Sequence, residues 1–117
     1  MKKFILSLIL TERPRTVGRL KARFDGEEDE KILCVRNPVV NSTDFLNRTA
    51  AEVFQLCDGE HTIAQIVEAL HKKYKLEISR DEFAGTIIKC IRFLEARGLL
   101  YKRKYGRYRL IKQAQSI

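Results

Sequence analysis

The chain has 117 residues, 44% of them apolar, with only 6 Gly and 2 Pro, which describes one ordered domain with a single modest core. Its formal net charge of +8 favours acidic or polyanionic partners through long-range attraction. Cys34, Cys57 and Cys90, with His61 and His71, have no metal-ligand spacing, so neither a zinc site nor a disulfide framework is expected, and the thiols read as reduced and structural in a cytoplasmic protein.

Lys2-Lys3 and the apolar run over residues 4–10 imitate a signal peptide. The run is short, however, and Thr11-Glu12-Arg13-Pro14-Arg15 follows where small residues and a cleavage site belong. It is also too short to span a bilayer, so no membrane association is expected. A buried or edge strand is predicted there. Residues 16–24 alternate, with Leu20, Ala22 and Phe24 on one face and Arg19, Lys21 and Arg23 on the other, which predicts a half-buried strand. An acidic turn, Asp25-Gly26-Glu27-Glu28-Asp29-Glu30, leads to a second strand from Ile32 that ends at Asn37-Pro38. A third extended segment is predicted over about 39–46.

Three capping-box patterns follow: Thr49-Ala-Ala-Glu52, Thr62-Ile-Ala-Gln65 and Ser79-Arg-Asp-Glu82. They predict helices over about 48–57, 62–74 and 80–97, with Asn47 or Thr49 capping the first and Gly59, in a left-handed conformation, ending it. The first helix groups Ala50, Val53, Phe54, Leu56 and Cys57; the second carries the narrow stripe Ile63, Ile66, Val67, Leu70, Tyr74. The third has a broad apolar arc of Phe83, Ala84, Ile87, Ile88, Cys90, Ile91 and Leu94, with Phe93 outside it. An apolar surface that wide predicts more than one packing partner. Gly98 ends the helix, and the basic, Tyr-rich stretch around Tyr105-Gly106 predicts a short hairpin.

The expected fold is therefore α+β and winged-helix-like: an N-terminal antiparallel three-stranded sheet, three helices and a C-terminal hairpin. The expected divisions are an N-terminal apolar and basic segment over 1–15, a domain over 16–101, and a basic hairpin and tail over 102–117.

No phosphate loop, nucleophile elbow or H-E-x-x-H pattern is present, so a non-enzymatic binding module without cofactor or metal is expected. One alternative is a winged-helix nucleic-acid-binding protein, with Lys102, Arg103, Lys104, Arg107 and Arg109 as a phosphate-contacting wing. The third helix is poorly suited to read a groove, since it offers Gly85, Phe93 and Ala96 and no Asn or Gln. A structural adaptor that binds another protein by strand addition is a further alternative.

The stretch Phe45-Leu46-Asn47, then Thr49-Ala50, Leu56-Cys57-Asp58-Gly59, Thr62-Ile63 and finally Gly98-Leu99-Leu100 resembles the PqqD-like family over about residues 32–101. The resemblance implies a peptide chaperone, or precursor-peptide recognition element. Such a protein binds the leader of a ribosomally synthesised peptide and presents it to a modifying enzyme, often a radical S-adenosylmethionine enzyme. It further implies that the leader adds as a strand beside the third strand and lies against the third helix. The candidate peptide-binding residues are then Thr43, Asp44, Phe45 and Leu46 on the strand and Thr86, Lys89, Phe93 and Arg97 on the helix. Lys89 and Arg97 are placed to meet acidic leader positions. A monomer or weak homodimer is expected.

Overall fold

The computed structural model describes residues 7–26, 32–74 and 77–101. Strands β1 (Lys21–Asp25), β2 (Ile32–Asn37) and β3 (Ser42–Leu46) form an antiparallel sheet in the order β1-β2-β3. Helices α1 (Arg48–Leu56), α2 (Ile63–Tyr74) and α3 (Arg80–Ala96) follow. The α+β class and all three helices stand as expected. The winged-helix hairpin predicted after Tyr101 lies outside the described residues, so no wing is placed.

The sheet has one covered face. Leu33 and Val35 of β2 and Leu46 of β3 are buried, and α1 packs over these two strands. They join Val53 and Phe54 of α1, Ile63, Ile66, Val67 and Leu70 of α2, and Phe83, Ile87, Ile91 and Leu94 of α3 in one core. The cross-strand pairs Leu33↔Leu46 and Val35↔Asp44 fix the register, because a one-residue slip would send these side chains to the open face.

Two expectations for the N-terminal region are corrected. The described part of the apolar run, residues 7–10, is helical and not a strand. Thr11 closes the turn, its hydroxyl donating to the Leu8 carbonyl at 2.7 Å while Glu12 N–H donates to the Ile9 carbonyl at 2.9 Å. Among the described residues this segment has no ladder partner, and local bonds satisfy the Leu8 and Ile9 carbonyls instead. The strand predicted over 16–24 is confined to β1, and β1 is exposed along its whole length instead of half-buried. Ala22 and Phe24 do share the face of Val35 and Leu33, but α1 packs mainly on β2 and β3, leaving Phe24 45% exposed. Residues 18 and 19 form a turn, with φ of 73° at Arg19.

Residues 12–17 run instead as a strap across the helical unit. Ile63 N–H donates to the Glu12 carbonyl, Gly59 N–H to Pro14, Thr16 N–H to Cys57, Val17 N–H to Leu99 and Tyr101 N–H to Arg15, at 2.8–3.0 Å. Glu12 also meets the Arg92 guanidinium of α3 at 2.9 Å, largely shielded from solvent. The strap thereby joins the α1–α2 loop to the segment that follows α3.

The helix termini follow the capping logic with one shift. Asn47, not Thr49, caps α1, its Oδ1 accepting from Ala50 N–H at 2.9 Å. Asn47 is the last extended residue (φ −69°, ψ 177°), while Thr49 already lies within the helix. Thr62 and Gln65 form the full reciprocal box: Gln65 N–H donates to Thr62 Oγ1 at 3.1 Å and Thr62 N–H to Gln65 Oε1 at 2.8 Å. Ser79 Oγ accepts from Glu82 N–H at 3.1 Å. Helix α3 ends at Gly98 (φ +78°), where Leu99 N–H returns to the Leu94 carbonyl and Gly98 N–H to Glu95. This double closure needs a left-handed residue, which glycine adopts without a Cβ penalty.

Helix α1 stops at Leu56, before the glycine expected to end it, and Asp58 organises the turn that follows. Its Oδ1 accepts from the N–H of Glu60 and His61 at 2.8 and 2.9 Å, and Oδ2 meets His61 Nδ1 at 2.8 Å. The His61 and Glu60 backbone bonds hold the Asp58 carboxyl down at about 2, because they stabilise its charged form. Gly59 (φ +82°) turns the chain under the strap, where an added Cβ would meet Arg15 side-chain carbons at 3.1–3.4 Å.

Candidate functional site

Strand β3 is an edge. One side pairs with β2, and the backbone on its other side has no ladder partner among the described residues. An open edge of this kind is a template for another extended chain. Side-chain alternation divides the four candidate residues of β3 between two faces. Asp44 and Leu46 point inward and are buried. Thr43 and Phe45 point to the open face of the sheet, opposite Arg36 and Cys34, and Phe45 is 69% exposed. Leu46 is committed to the core, so this residue has only its backbone to offer at the edge.

On α3, the positions of Thr86, Lys89, Phe93 and Arg97 recur at helical spacing, and all four are exposed. Thr86 Oγ donates back to the Glu82 carbonyl at a long 3.4 Å. Phe93 stands 54% exposed beside the buried Leu94. A phenyl ring left that open on an otherwise well-packed helix is an available apolar anchor. The core accounts for Phe83, Ala84, Ile87, Ile91 and Leu94, with Ile88 and Cys90 partly buried against it. The arc beyond the core is therefore this stripe.

Arg97 joins the two halves. Its Nε donates to Asp44 Oδ1 at 2.6 Å, linking the C-terminal end of α3 to β3 across 53 positions of sequence. Asp44 is the buried charged residue of the described chain, at 7% exposure, whereas the Arg97 side chain is half exposed. Asp44 Oδ2 is shut off from water and has no hydrogen-bond partner among the described residues. Arg97 is thus already engaged by an internal carboxylate. Of the two cations set out to meet acidic leader positions, Lys89 is the one without an ion-pair partner among the described residues.

The other basic side chains of α3 are neutralised as well. Arg80 pairs with Glu68 at 3.2 Å, and Arg92 with Glu12 at 2.9 Å and Glu95 at 3.3 Å. On α2, Lys73 Nζ meets Glu52 at 2.7 Å. The histidines hold loops: His61 lies on Asp58, and His71 Nε2 donates to the Ile78 carbonyl at 2.9 Å. All three cysteines are free. Burial pushes the Cys57 thiol up to about 12 and also raises that of Cys90, so neither has thiolate character near neutral pH. Among the described residues no group of three or more His, Cys, Asp or Glu could hold a metal ion.

The sequence model of the family described as "Coenzyme PQQ synthesis protein D (PqqD)" matches residues 38–100. This chain belongs to the PqqD family. The matched region holds β3, all three helices and every candidate site residue, while the whole N-terminal strap and the basic tail lie beyond it. A protein named PqqA binding protein from Rhodopseudomonas palustris (strain HaA2) is 28% identical over 95 residues, covering 81% of this chain and 87% of the relative. Another of that name, from strain BisB5, is 27% identical over 88 residues, 75% of this chain and 80% of the relative. A third, from Methylococcus capsulatus, is 52% identical over a 29-residue stretch, 25% of this chain and 31% of the relative. No solved structure matches the chain.

Sequence reasoning missed the Asp44–Arg97 contact. The inward position of Asp44 was readable from its alternation with Leu46, since a charge on the core face of a strand demands a partner. Which of the 23 Lys and Arg residues supplies it depends on where α3 ends relative to β3, and no local pattern encodes that.

Proposed function

We propose that this PqqD-family protein is a non-catalytic peptide chaperone. It captures the leader of a ribosomally synthesised precursor peptide by strand addition at the open edge of β3. It then presents the peptide to a modifying enzyme, of the radical S-adenosylmethionine class that the family resemblance implies. The observation that carries this reading is the unpaired edge of β3 in a fold whose α3 exposes the stripe Thr86, Lys89, Phe93 and Arg97. Backbone bonds along the edge would supply sequence-tolerant affinity, and Phe93 would supply an apolar anchor. The names of the relatives support a peptide of the PqqA type as the first ligand to try. No helix among the described residues is long and apolar enough to cross a membrane.

Binding of a fluorescent PqqA-type peptide, followed by anisotropy, tests the reading. Phe93→Ala should weaken it roughly 30-fold, the loss expected when an interface anchor of about 2 kcal/mol is truncated. Thermal stability should change little, because the ring is more than half exposed. Equal affinity in both proteins would remove Phe93 from the site. The nucleic-acid alternative draws on the basic residues after Tyr101, outside the described residues. The ion pairs at Arg80, Arg92 and Arg97 leave α3 itself few cations for phosphate. Sequence-specific binding of duplex DNA at nanomolar protein, with no binding of peptide, would replace the proposal.

A further inference from the structure

We infer that Asp44 sets the side-chain specificity of the β3 edge: it selects a ligand strand with a hydrogen-bond donor, such as Ser, Thr, Asn, Gln or Lys, at the position opposite it. This rests on the reading of that edge as the peptide site and adds what the peptide must carry there.

Side chains opposite each other on paired strands share a face, with Cβ atoms about 4.5–5.5 Å apart. A strand added to β3 would therefore place one residue beside Asp44 on the inward face, toward Arg97. What that residue meets is unusual for the inside of a protein. The carboxylate is more than nine-tenths buried, yet the Arg97 Nε bond at 2.6 Å satisfies one oxygen and leaves the other without a partner among the described residues. A buried acceptor left unpaired carries most of its desolvation cost. A donor arriving along the edge relieves that cost.

Access to the second oxygen requires only small movements. The terminal torsion of Asp is broad, so a partial turn of the carboxylate re-aims the second oxygen without moving the backbone. Arg97 holds the carboxylate through one nitrogen and is half exposed, so it can follow that turn while keeping its bond. An aliphatic ligand residue at this position leaves the oxygen unpaired, and an acidic one sets two like charges opposite each other, an unfavourable cross-strand pair. Sites built around a hydrogen bond reject analogues lacking the group more sharply than apolar pockets reject a missing methylene. The discrimination arises from one residue, whereas the backbone pairing around it tolerates substitution.

Selection from a displayed library tests this, with the full-length chain immobilised and ten-residue random peptides presented between fixed flanks. The wild-type protein should enrich donor side chains at one register position and deplete Asp, Glu and aliphatics there. Individual peptides differing only at that position should separate by roughly tenfold in affinity, as for a hydrogen bond to a charged group. Asp44→Leu should convert the preference at that position to aliphatic. The isosteric Asp44→Asn, whose amide can also donate, should cease to exclude acidic residues. It keeps the test decisive should Asp44→Leu fold poorly. Enrichment whose profile is the same in the wild type and both variants would overturn the role of Asp44 while leaving the peptide site standing. No enrichment by the wild-type chain would overturn the peptide site and the specificity together.

Discussion

Replacing Arg97 with Leu removes the cation from a buried carboxylate without disturbing the carboxylate itself. Asp44, 7% exposed in the folded chain, would then lose the one hydrogen bond its carboxylate accepts among the described residues. Breaking a fully buried ion pair costs about 3–5 kcal/mol, and a hydrogen bond to a charged group contributes about 1.5–3 kcal/mol. The Arg97 side chain is half exposed, so water can partly take its place, and the lower range applies. We expect Arg97→Leu to destabilise the protein by about 2 kcal/mol in urea denaturation at unchanged m-value. The reverse substitution should behave differently. Asp44→Leu removes the unpaired oxygen along with the charge, adds apolar surface beside Val35, and frees Arg97 to enter solvent. Such replacements of buried ionic groups are often neutral or stabilising, and a change within about 1 kcal/mol of zero is expected. The double variant should recover most of the loss caused by Arg97→Leu, giving a coupling energy of about 2 kcal/mol in the cycle, as for residues in direct contact. An Arg97→Leu cost below about 0.5 kcal/mol, the level of an ordinary surface substitution, would refute this reasoning. So would an Asp44→Leu cost larger than that of Arg97→Leu.

Two other outcomes follow from groups away from the edge. Asp58 titrates at about 2 in the folded chain against an ordinary 3.8. Its contribution to stability is therefore fully present above about pH 5, declines as pH falls through 4, and is lost near pH 2. The stability difference between wild type and Asp58→Ala, followed by denaturation from pH 7 to pH 2, should shrink across that window. A difference independent of pH would contradict the role of the charged form. Among the thiols, Cys34 on the open sheet face should react first with a chromogenic disulfide reagent, and Cys57, buried with its thiol pushed up to about 12, only on unfolding. Rapid labelling of Cys57 in the native protein would contradict its burial in the core.

The helical half of this fold was legible because its signals are local. Thr62 with Gln65, Ser79 with its neighbour Glu82, and the stripe from Ile63 to Leu70 each act within a few residues, and the structure keeps them. The N-terminal half was less legible because its fate depends on distant surfaces. Alternation in β1 correctly placed Ala22 and Phe24 on one face, but α1 packs mainly on β2 and β3, and β1 stays exposed. The described part of the apolar run, residues 7–10, has no ladder partner among the described residues and is helical. Pro14 and Arg15, which look like a mere break in the sequence, become part of the strap bonded to Gly59 and Tyr101. At the candidate site, the exposed stripe of α3 was readable from periodicity, Phe93 in particular. The division of β3 into an inward Asp44 and an outward Phe45 follows from pleating, yet the engagement of Arg97 required the tertiary structure.

The most direct test of strand capture at β3 is amide chemical-shift mapping of the isotopically labelled full-length chain as an unlabelled PqqA-type peptide is added. Shifts concentrated in residues 39–46 and 83–97, with slowed amide exchange along the outer edge of β3, are the predicted result. Shifts confined to residues 101–111, with the amides of β3 unmoved, would contradict it.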